Sequence, residues 1–455
     1  MKITTKLFYG LSIALIAFSS CSEESNTPDT VELTPEEKKF TIAVIPDTQN
    51  MTDFTHQKKY QVKAGVNFPI NSGDQFYSMM EYIAANSVTN GGKIVFAAAV
   101  GDIWQHQTEI IDTEHSSRGF SHDPKTIIAN SGEVFPTTET TSFEMPLARK
   151  GYELISKTGM PFGVAPGNHD SDAMWSEASF KSDASRIGEL ATLGAVPEIL
   201  GMLHIGGHKN FNSVFGENTS FFKGKSWYIS SYNGGANSAQ KFEAAGYSFI
   251  NINFEMQPGN DVLAWAQKII NENPGVPTMI TTHDFLKENG KREANPIIDL
   301  SRIDPGNHNS ADQVFEKFIM PNDQIFLVLC GHHHGKSTRI DTNNKGNKVY
   351  QVLADYQDRG QTVLDADPDF RNARGSKYGV GDGWLRLMNF DFNDANPKIV
   401  VKTYSSHYKK YSDDILDYSK WYKSDENPKV SDSEFYTLDS FTIELNDFKT
   451  RFKKK

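Results

Sequence analysis

The chain has 455 residues, of which 38% are hydrophobic and 23% are charged, and its formal net charge is −11. This length allows one large domain or two to three smaller ones, and the composition is ordinary for a globular protein. The net negative charge argues against broad binding to nucleic acid, because no excess of cations is available to offset the phosphates. We therefore expect no stable nucleic-acid binding.

Residues 1–20 are predicted to be a signal peptide for export. Lys2 and Lys6 form a charged start, and the apolar stretch 7–18 is too short to span a bilayer as a stable helix. Small residues then lead to Cys21, an order that resembles a bacterial lipoprotein signal, in which cleavage exposes the cysteine for lipidation. We predict lipidation of Cys21; the alternative is an ordinary secretory signal with an incidental cysteine.

Residues 21–39 are rich in Ser, Glu, Asn, Thr, Pro and Asp, and they are predicted to form a flexible tether. The acidic stretch 22–25 resembles the tract that directs some lipoproteins of the Bacteroidota to the cell surface. We therefore predict an exported outer-membrane or cell-surface lipoprotein, with the periplasm as the alternative, that touches the membrane only through its lipid anchor. Cys330 is the one other cysteine, so a lipidated chain must hold its fold by core burial or metal rather than by a disulfide.

Beyond the tether, apolar periodicity predicts alternating strands and helices. In chain order they are strand 40–46, helix 74–88, strand 93–100, helix 144–158, a strand from 160, helix 174–193, strands 225–231 and 247–254, helix 259–272, strand 278–283, helix 311–319 and strands 324–331, 349–353, 383–391, 398–404 and 441–445. The stretches 106–142 and 171–225 are interpreted as insertions over one end of the fold. We predict one α/β domain over 40–408, followed by a C-terminal extension, 409–455, that packs on or near it.

Five of the predicted strands lead into side chains of the types that bind metal ions. The segments are Asp47-Thr-Gln49, Gly101-Asp102, Gly167-Asn168-His169-Asp170, Thr282-His283 and Gly331-His332-His333-His334. Open α/β sheets place their sites at the carboxyl ends of strands, and carboxylate, amide oxygen and imidazole together suit first-row divalent metals. These segments contain seven candidate ligands, and one metal needs roughly four to six, so we predict two ions. The predicted ligands are Asp47, Gln49, Asp102, Asn168, His283, His332 and His334.

The order and spelling of these segments resemble the motifs of the calcineurin-like metallophosphoesterase family, which run D-x-H, G-D-x-x-[DN], G-N-H-[DE], H and G-H-x-H. The resemblance covers about residues 40–405. It implies a four-layer α/β/β/α sandwich around two divalent ions of Mn, Fe, Zn or Ni. It also implies hydrolysis of a phosphomonoester or phosphodiester by a hydroxide that bridges the metals, on a phosphorylated small-molecule or envelope substrate.

The same resemblance assigns roles to individual side chains. The two implied ligand sets share Asp102 and are otherwise Asp47 with His334 on one metal, and Asn168, His283 and His332 on the other. His169 would stabilise the transition state or protonate the leaving oxygen. Asp170 would orient the His169 imidazole or tune its charge, which is a usual task for a carboxylate beside a metal site.

Two positions depart from the family pattern. Gln49 stands where the first motif usually has His, and Gln105 stands where the second motif usually closes with Asp or Asn. A Gln amide oxygen is a weaker ligand for zinc or iron than imidazole is, so we expect the first metal to bind less tightly. Secreted relatives whose first motif reads Pro-Asp-Thr-Gln look similar to this chain, and we interpret Gln49 as a trait of that subgroup.

Two other functions remain open at the level of sequence. The two glutamines also fit a catalytically weak or inactive surface lipoprotein of the same fold that binds a phosphorylated or glycan ligand. A metal hydrolase acting on an amide or ester is the third possibility, although the chain lacks the H-E-x-x-H helix of one large class of metalloproteases.

Other side chains near the five segments have weaker signals. Alternation along the strand points His333 away from its neighbours, and Cys330 lies inside the strand, so neither is predicted to bind metal. Tyr356, Gln357 and Arg359 follow a predicted strand in the region that the family's substrate often reaches.

Overall fold

The computed structural model describes residues 33–62, 66–121, 136–176, 203–293, 295, 298–372 and 375–454. The predicted signal peptide, Cys21 and the tether up to residue 32 lie outside the described residues, as do parts of both predicted insertions. Within the described ranges, no helix combines the length and the apolar composition needed to cross a membrane.

Strands and helices alternate along most of the described chain, which is a mixed α/β fold. The strands are β1 (Lys39–Ile45), β2 (Gln61–Val62), β3 (Val66–Asn67), β4 (Ile94–Ala99), β5 (Phe162–Val164), β6 (Ala173–Ser176), β7 (Leu203–Gly206), β8 (Tyr228–Tyr232), β9 (Asn237–Ala244), β10 (Tyr247–Asn253), β11 (Thr278–Asp284), β12 (Ile325–Gly331), β13 (Gly335–Thr342), β14 (Lys348–Asp355), β15 (Trp384–Asp391), β16 (Lys398–Ser405), β17 (Lys410–Tyr411) and β18 (Phe441–Glu444).

The helices connect these strands and cover the sheets. They are α1 (Gln49–Thr52), α2 (Ser72–Ala85), α3 (Thr113–Ser117), α4 (Met145–Lys157), α5 (Lys209–Phe215), α6 (Asn260–Glu272), α7 (Leu300–Ile303), α8 (Ala311–Val314), α9 (Gln361–Ala366), α10 (Tyr418–Glu426), α11 (Asp432–Thr437) and α12 (Phe448–Arg451). A π-helical turn, Thr140–Glu144, leads into α4, and another, Phe315–Ile319, continues α8.

The first large sheet has the strand order β17-β16-β15-β1-β4-β5, and β18 also pairs with β16. Strands β1, β4 and β5 are parallel, whereas β15 runs antiparallel to β1. Strand β4 is buried along its whole length, and its sequence, Ile-Val-Phe-Ala-Ala-Ala, is apolar throughout because both faces of a parallel sheet are covered. Ile45, Ala99 and Val164 lie side by side, so the three strands end together.

The second large sheet has the strand order β13-β14-β12-β11-β10-β9-β8. Strands β10, β11, β12 and β14 are parallel, whereas β8, β9 and β13 pair antiparallel with their neighbours, and β8 and β13 are the edges of the sheet. The parallel strands of this sheet therefore also present a common carboxyl-terminal edge.

Three apolar cores fix the two sheets and their helices. The first contains side chains from both sheets, among them Phe96 of β4 and Leu327 of β12, so the sheets pack against each other. The second joins α2 and α4 to the first sheet through residues such as Phe76. The third joins α6 and the segment from α8 to the second sheet through residues such as Phe318. Each sheet is thus buried on both faces where the parallel strands lie.

Part of the predicted helix 174–193 is wrong. Ala173–Ser176 is strand β6, which pairs with β7, while residues 177–202 lie outside the described residues. Strands β9 and β13 were not predicted either, because both carry many polar residues. Long-range pairing with β10 and β14 makes them strands, and a local pattern does not report such pairing.

The C-terminal extension contributes to the sheets and to the core. Strand β18 pairs with β16, and Phe448 and Phe452 belong to the core between the two sheets. Helices α10 and α11 form a separate apolar cluster with Trp384 and Tyr356, which lie in or next to strands of the two large sheets.

Candidate metal centre

The five predicted ligand segments meet at one end of the two sheets. In the first sheet, Asp47 follows β1, Asp102 follows β4 and Asn168 follows β5. In the second sheet, His283 lies near the end of β11, and His332 directly follows β12. Because neighbouring parallel strands end together and the two sheets pack face to face, side chains far apart in the sequence converge here.

Four of the predicted ligands form a close group, which we call the central cluster. Its members are Asp102, Asn168, His283 and His332. His283 Nε2 lies 3.0 Å from Asn168 Oδ1, 3.2 Å from Asp102 Oδ1 and 3.1 Å from His332 Nδ1. His283 Nδ1 donates to the Val100 carbonyl at 2.9 Å, which fixes the ring so that Nε2 faces the other three side chains. One nitrogen or oxygen atom each of Asp102, His283 and His332 lies within 4.8 Å of the others, a spacing that could hold one metal ion.

The backbone around the central cluster is tightly packed. A Cβ atom on Gly331 would lie 2.0 Å from Asp47 Oδ1, and one on Gly167 would lie 2.1 Å from Asp102 Oδ1. Glycine is therefore required at both positions for the carboxylates to reach the centre. Asp102 and His332 have positive φ angles of 51° and 72°, a conformation that non-glycine residues adopt at a cost in free energy and that is typical of functional sites.

Asp47 and Gln49 are both buried beside this centre. Asp47 Oδ2 accepts a hydrogen bond from the His332 N–H at 2.9 Å, and Gln49 Nε2 donates to Asp102 Oδ2 at 3.2 Å. Asp47 Oδ1 and Gln49 Oε1 are buried and have no hydrogen-bond partner among the described residues. A buried oxygen without a partner is unfavourable, so both atoms are suited to bind a cation.

His334 is joined to this group through Gln357. The Gln357 amide contacts both Gln49 and His334 Nε2, and the other ring nitrogen, His334 Nδ1, contacts the Asp358 carboxylate. A carboxylate on one imidazole nitrogen leaves the other nitrogen available as a metal ligand. The structure thus brings all seven predicted ligands into one region, with His334 at its more exposed side.

His169 also lies beside the centre, but its predicted partner is wrong. Its Nδ1 donates to the Gln105 carbonyl at 2.6 Å, and its Nε2 lies 3.9 Å from Asp102 Oδ2. The Asp170 carboxylate instead accepts the backbone N–H groups of Ile103 and Gly167, both at 2.8 Å. Asp170 therefore ties two ligand loops together and does not orient the imidazole, because the sharp turn after Gly167 points it back into the protein.

Carboxylates outnumber compensating cations at this site. Burial and the nearby Asp355 raise the pKa of Asp47 well above its usual range. Burial and repulsion by Asp102 raise the pKa of Asp170 to about 8. Burial alone lowers the pKa of His283, but Asp102 and Asp47 outweigh it and raise that pKa to about 10. A divalent cation would favour the ionised carboxylates, so the charge of the donor set also fits metal binding.

Besides Asp358, sequence reasoning missed two carboxylates near the centre. Asp355, the last residue of β14, is buried, and burial raises its pKa to about 7. Asp284 lies at the end of β11 and contacts His333 Nε2 at 3.0 Å. Residues 332–334 lie outside the strands, so the predicted alternation does not apply to His333, and one nitrogen or oxygen atom each of Asp284, His332 and His333 lies within 4.8 Å of the others. A signal existed for both, since each is an acidic residue at the end of a predicted buried strand.

Tyr356 and Arg359, which the motif resemblance placed near the substrate, belong to a separate buried group. Arg359 pairs with Glu426 at 2.5 Å, and Lys336 contacts Glu426 at 3.0 Å and Asp439 at 2.7 Å. The Tyr356 hydroxyl reaches Asp439 at 3.2 Å. We call the charged members of this group the C-terminal ion cluster: Lys336, Arg359, Arg386, Glu426 and Asp439.

Comparison with known proteins finds a distant similarity. No family model matches the chain. The chain is similar to the "Uncharacterized protein YvnB" of Bacillus subtilis (strain 168), with 24% identity over 313 residues. The aligned region is 68% of this chain but only 18% of the relative, so the chain spans a small part of that protein's length.

Proposed function

We propose that the protein hydrolyses phosphoester bonds with the help of two divalent metal ions, as an exported lipoprotein with the α/β/β/α fold of the calcineurin-like metallophosphoesterases. The observation that carries this proposal is the meeting of Asp102, Asn168, His283 and His332 within hydrogen-bond distances at the carboxyl ends of strands from both sheets. Two sheets packed face to face, with helices on their outer faces, support the fold assignment.

The observed contacts support two sets of ligands. Asp102 Oδ1, Asn168 Oδ1 and His332 Nδ1 each lie 3.0 to 3.2 Å from His283 Nε2, and these four side chains would hold one metal. Gln49 is hydrogen-bonded to Asp102 Oδ2, and together with Asp47 and His334 it would hold the other. Asp47 Oδ1 and Gln49 Oε1 are buried and have no hydrogen-bond partner among the described residues, which supports both side chains as ligands. Gln49 would then take the place of the usual histidine.

When bound, two divalent cations would supply a water of lowered pKa as the nucleophile and would neutralise charge on the phosphate oxygens. His169 is placed to handle the proton of the leaving group. Its Nδ1–H is held by the Gln105 carbonyl, and its Nε2 lies 3.9 Å from Asp102 Oδ2. In the imidazolium form, Nε2–H would give its proton to the departing oxygen, and the ring would be left neutral with its remaining proton on Nδ1. The Gln105 contact uses a backbone carbonyl, so replacement of the family's Asp or Asn at this position leaves the contact intact.

The decisive experiment combines metal analysis with a panel of phosphomonoesters, phosphodiesters and nucleotides, using the mature chain loaded with Mn, Fe, Zn or Ni. We expect about two metal ions per chain and hydrolysis of at least one ester class, which is lost after chelation and restored by metal. Metal-loaded protein that binds a phosphate ester but hydrolyses none would favour the alternative of a binding lipoprotein. Protein that binds no metal would contradict both.

A further inference from the structure

A second group of metal-type side chains lies outside the residues of the candidate metal centre. One nitrogen or oxygen atom each of His115, Asp304 and His308 lies within 4.8 Å of the others. They come from three places in the chain: His115 from α3 in the first predicted insertion, Asp304 from the residue after α7, and His308 from the loop before α8. We call this group the cavity cluster.

Both imidazoles of the cavity cluster are held in the same way. His115 Nδ1 contacts the Asp112 carboxylate at 2.9 Å, and His308 Nδ1 lies 3.0 Å from the Gln257 carbonyl, to which it donates. An oxygen acceptor on Nδ1 fixes the tautomer in which Nε2 carries the free lone pair, as is usual for histidines that bind metal.

The His115 imidazole has an atom without a partner. His115 is 3% exposed, and its Nε2 has no hydrogen-bond partner among the described residues. The close approach of the β7 backbone holds it in place, since a Cβ on Gly206 would lie 2.4 Å from His115 Nδ1. A buried ring nitrogen that is fixed and unpaired is unfavourable unless something binds it.

A cavity of about 100 Å³ is lined in part by His115 and His308. Arg118, His208 and Glu255 are also among the residues that line it. The volume is large enough for a cation with water to complete its coordination.

The carboxylate of the cluster is also positioned. Asp304 Oδ1 accepts from Asn307 Nδ2 at 2.9 Å, Oδ2 accepts from Arg118, and Oδ2 lies 3.9 Å from His308 Nε2. Metal-binding carboxylates are commonly hydrogen-bonded in this way, and each oxygen retains a second lone pair. Two imidazoles and one carboxylate suit first-row divalent ions, and zinc accepts three protein ligands with water as the fourth.

We propose that His115, Asp304 and His308 bind one Zn²⁺ ion that joins the first insertion to the loop before α8. This site is additional to the proposed dinuclear centre and shares none of its ligands. Its test measures zinc binding rather than hydrolysis, so failure of the proposed phosphoesterase activity would leave it standing.

The test is a zinc titration of the full chain after chelator treatment. The wild-type protein should bind one more equivalent of Zn²⁺ than His308→Gln does. Asp112→Asn weakens the contact on His115 Nδ1 but keeps an oxygen that can cap α3. This variant should bind the additional Zn²⁺ ion with an affinity lowered by roughly 10- to 100-fold. His407→Gln is the matched control, because His407 is an exposed histidine elsewhere in the chain, and its zinc content should equal that of the wild type.

Equal zinc content and affinity in the wild type and His308→Gln would overturn the proposal. Circular dichroism of the zinc-free variants checks that they fold. If His308→Gln does not fold, anomalous scattering at the zinc edge from wild-type crystals decides. A peak between His115 and His308 supports the site, and its absence at saturating Zn²⁺ contradicts it.

Discussion

The candidate metal centre and the C-terminal ion cluster both bury carboxylates, but the described side chains that pair with them are histidines in the centre and Lys and Arg in the ion cluster. In the ion cluster, burial alone would raise the pKa of Asp439, yet Lys336, Arg359 and Arg386 lower it overall. In the centre, burial and the nearby Asp355 leave the pKa of Asp47 raised, and Asp47 Oδ1 has no hydrogen-bond partner among the described residues.

This difference separates a structural cluster from a site that needs a ligand. A buried carboxylate that is paired and hydrogen-bonded holds parts of the fold together, here α10 and the segment after α11 against β13 and β15. A buried carboxylate without a partner has an unfavourable free energy that an external cation would relieve. Four expected outcomes follow from that separation, from the largest effect to the smallest.

Asp102→Ala should remove most of the activity. Asp102 contacts His283 through Oδ1 and Gln49 through Oδ2, so both ligand sets lose their common member. We expect the rate to fall on the order of 10³-fold, as when a group that stabilises transition-state charge is removed. Turnover of the best ester from the panel, with metal content measured in parallel, checks this. Asp394→Ala on the surface is the control, and a folded Asp102→Ala protein with full activity would refute the mechanism.

Asp439→Ala should lower the free energy of unfolding by about 3–5 kcal/mol, because it leaves buried cations without their partner. The Asp439 carboxylate contacts Lys336 at 2.7 Å and Arg386 at 3.2 Å. Urea unfolding measures the change, and metal content of the folded protein should stay the same. Asp413→Ala, which breaks the partly exposed pair with Lys402, should cost only about 0–1 kcal/mol. Equal losses of unfolding free energy in Asp439→Ala and Asp413→Ala would mean that burial does not make the Asp439 pairs stronger than the Asp413 pair.

Asp358→Asn should weaken one metal and spare the other. The Asp358 carboxylate contacts His334 Nδ1 and lies outside the central cluster. Loss of such a partner lowers metal affinity by roughly 10- to 100-fold. Competition with a chromophoric chelator should show that one metal ion per chain binds more weakly and that the other binds as in the wild type. Asp369→Asn on the surface should change the affinity for neither ion. If both ions weaken equally, His334 does not belong to a single site.

Acid should destabilise the protein through the ion cluster. Burial alone raises the pKa of Glu426 and of Asp439, but Arg359 and Lys336 lower both overall. Because their folded pKa values are depressed, the stability they contribute is present above the unfolded pKa and is lost as the pH falls through the folded pKa. We expect the thermal midpoint to decrease below about pH 5. The decrease should be smaller in Glu426→Gln, and an equal decrease would assign the effect to other groups.

The sequence was sufficient for features that are local. Buried parallel strands such as β4 and β12 are continuous apolar runs, and their boundaries follow from the turn residues after them. The motif order also predicted which side chains gather, since residues after parallel strands share one edge of a sheet. For that reason the sequence alone was enough to predict that Asp102, Asn168, His283 and His332 lie together.

Tertiary structure decided the features that depend on distant partners. The role of Asp170 follows from a tight turn that directs its carboxylate to the Ile103 and Gly167 amides. The pairing of Asp439 with Lys336 joins residues about a hundred positions apart, and the polar tail carries no local sign of it. The cavity cluster likewise needs α3 and the loop before α8 to meet. Local sequence determines which side chains are present at a strand end, but packing between distant segments determines which of their atoms are left unpaired.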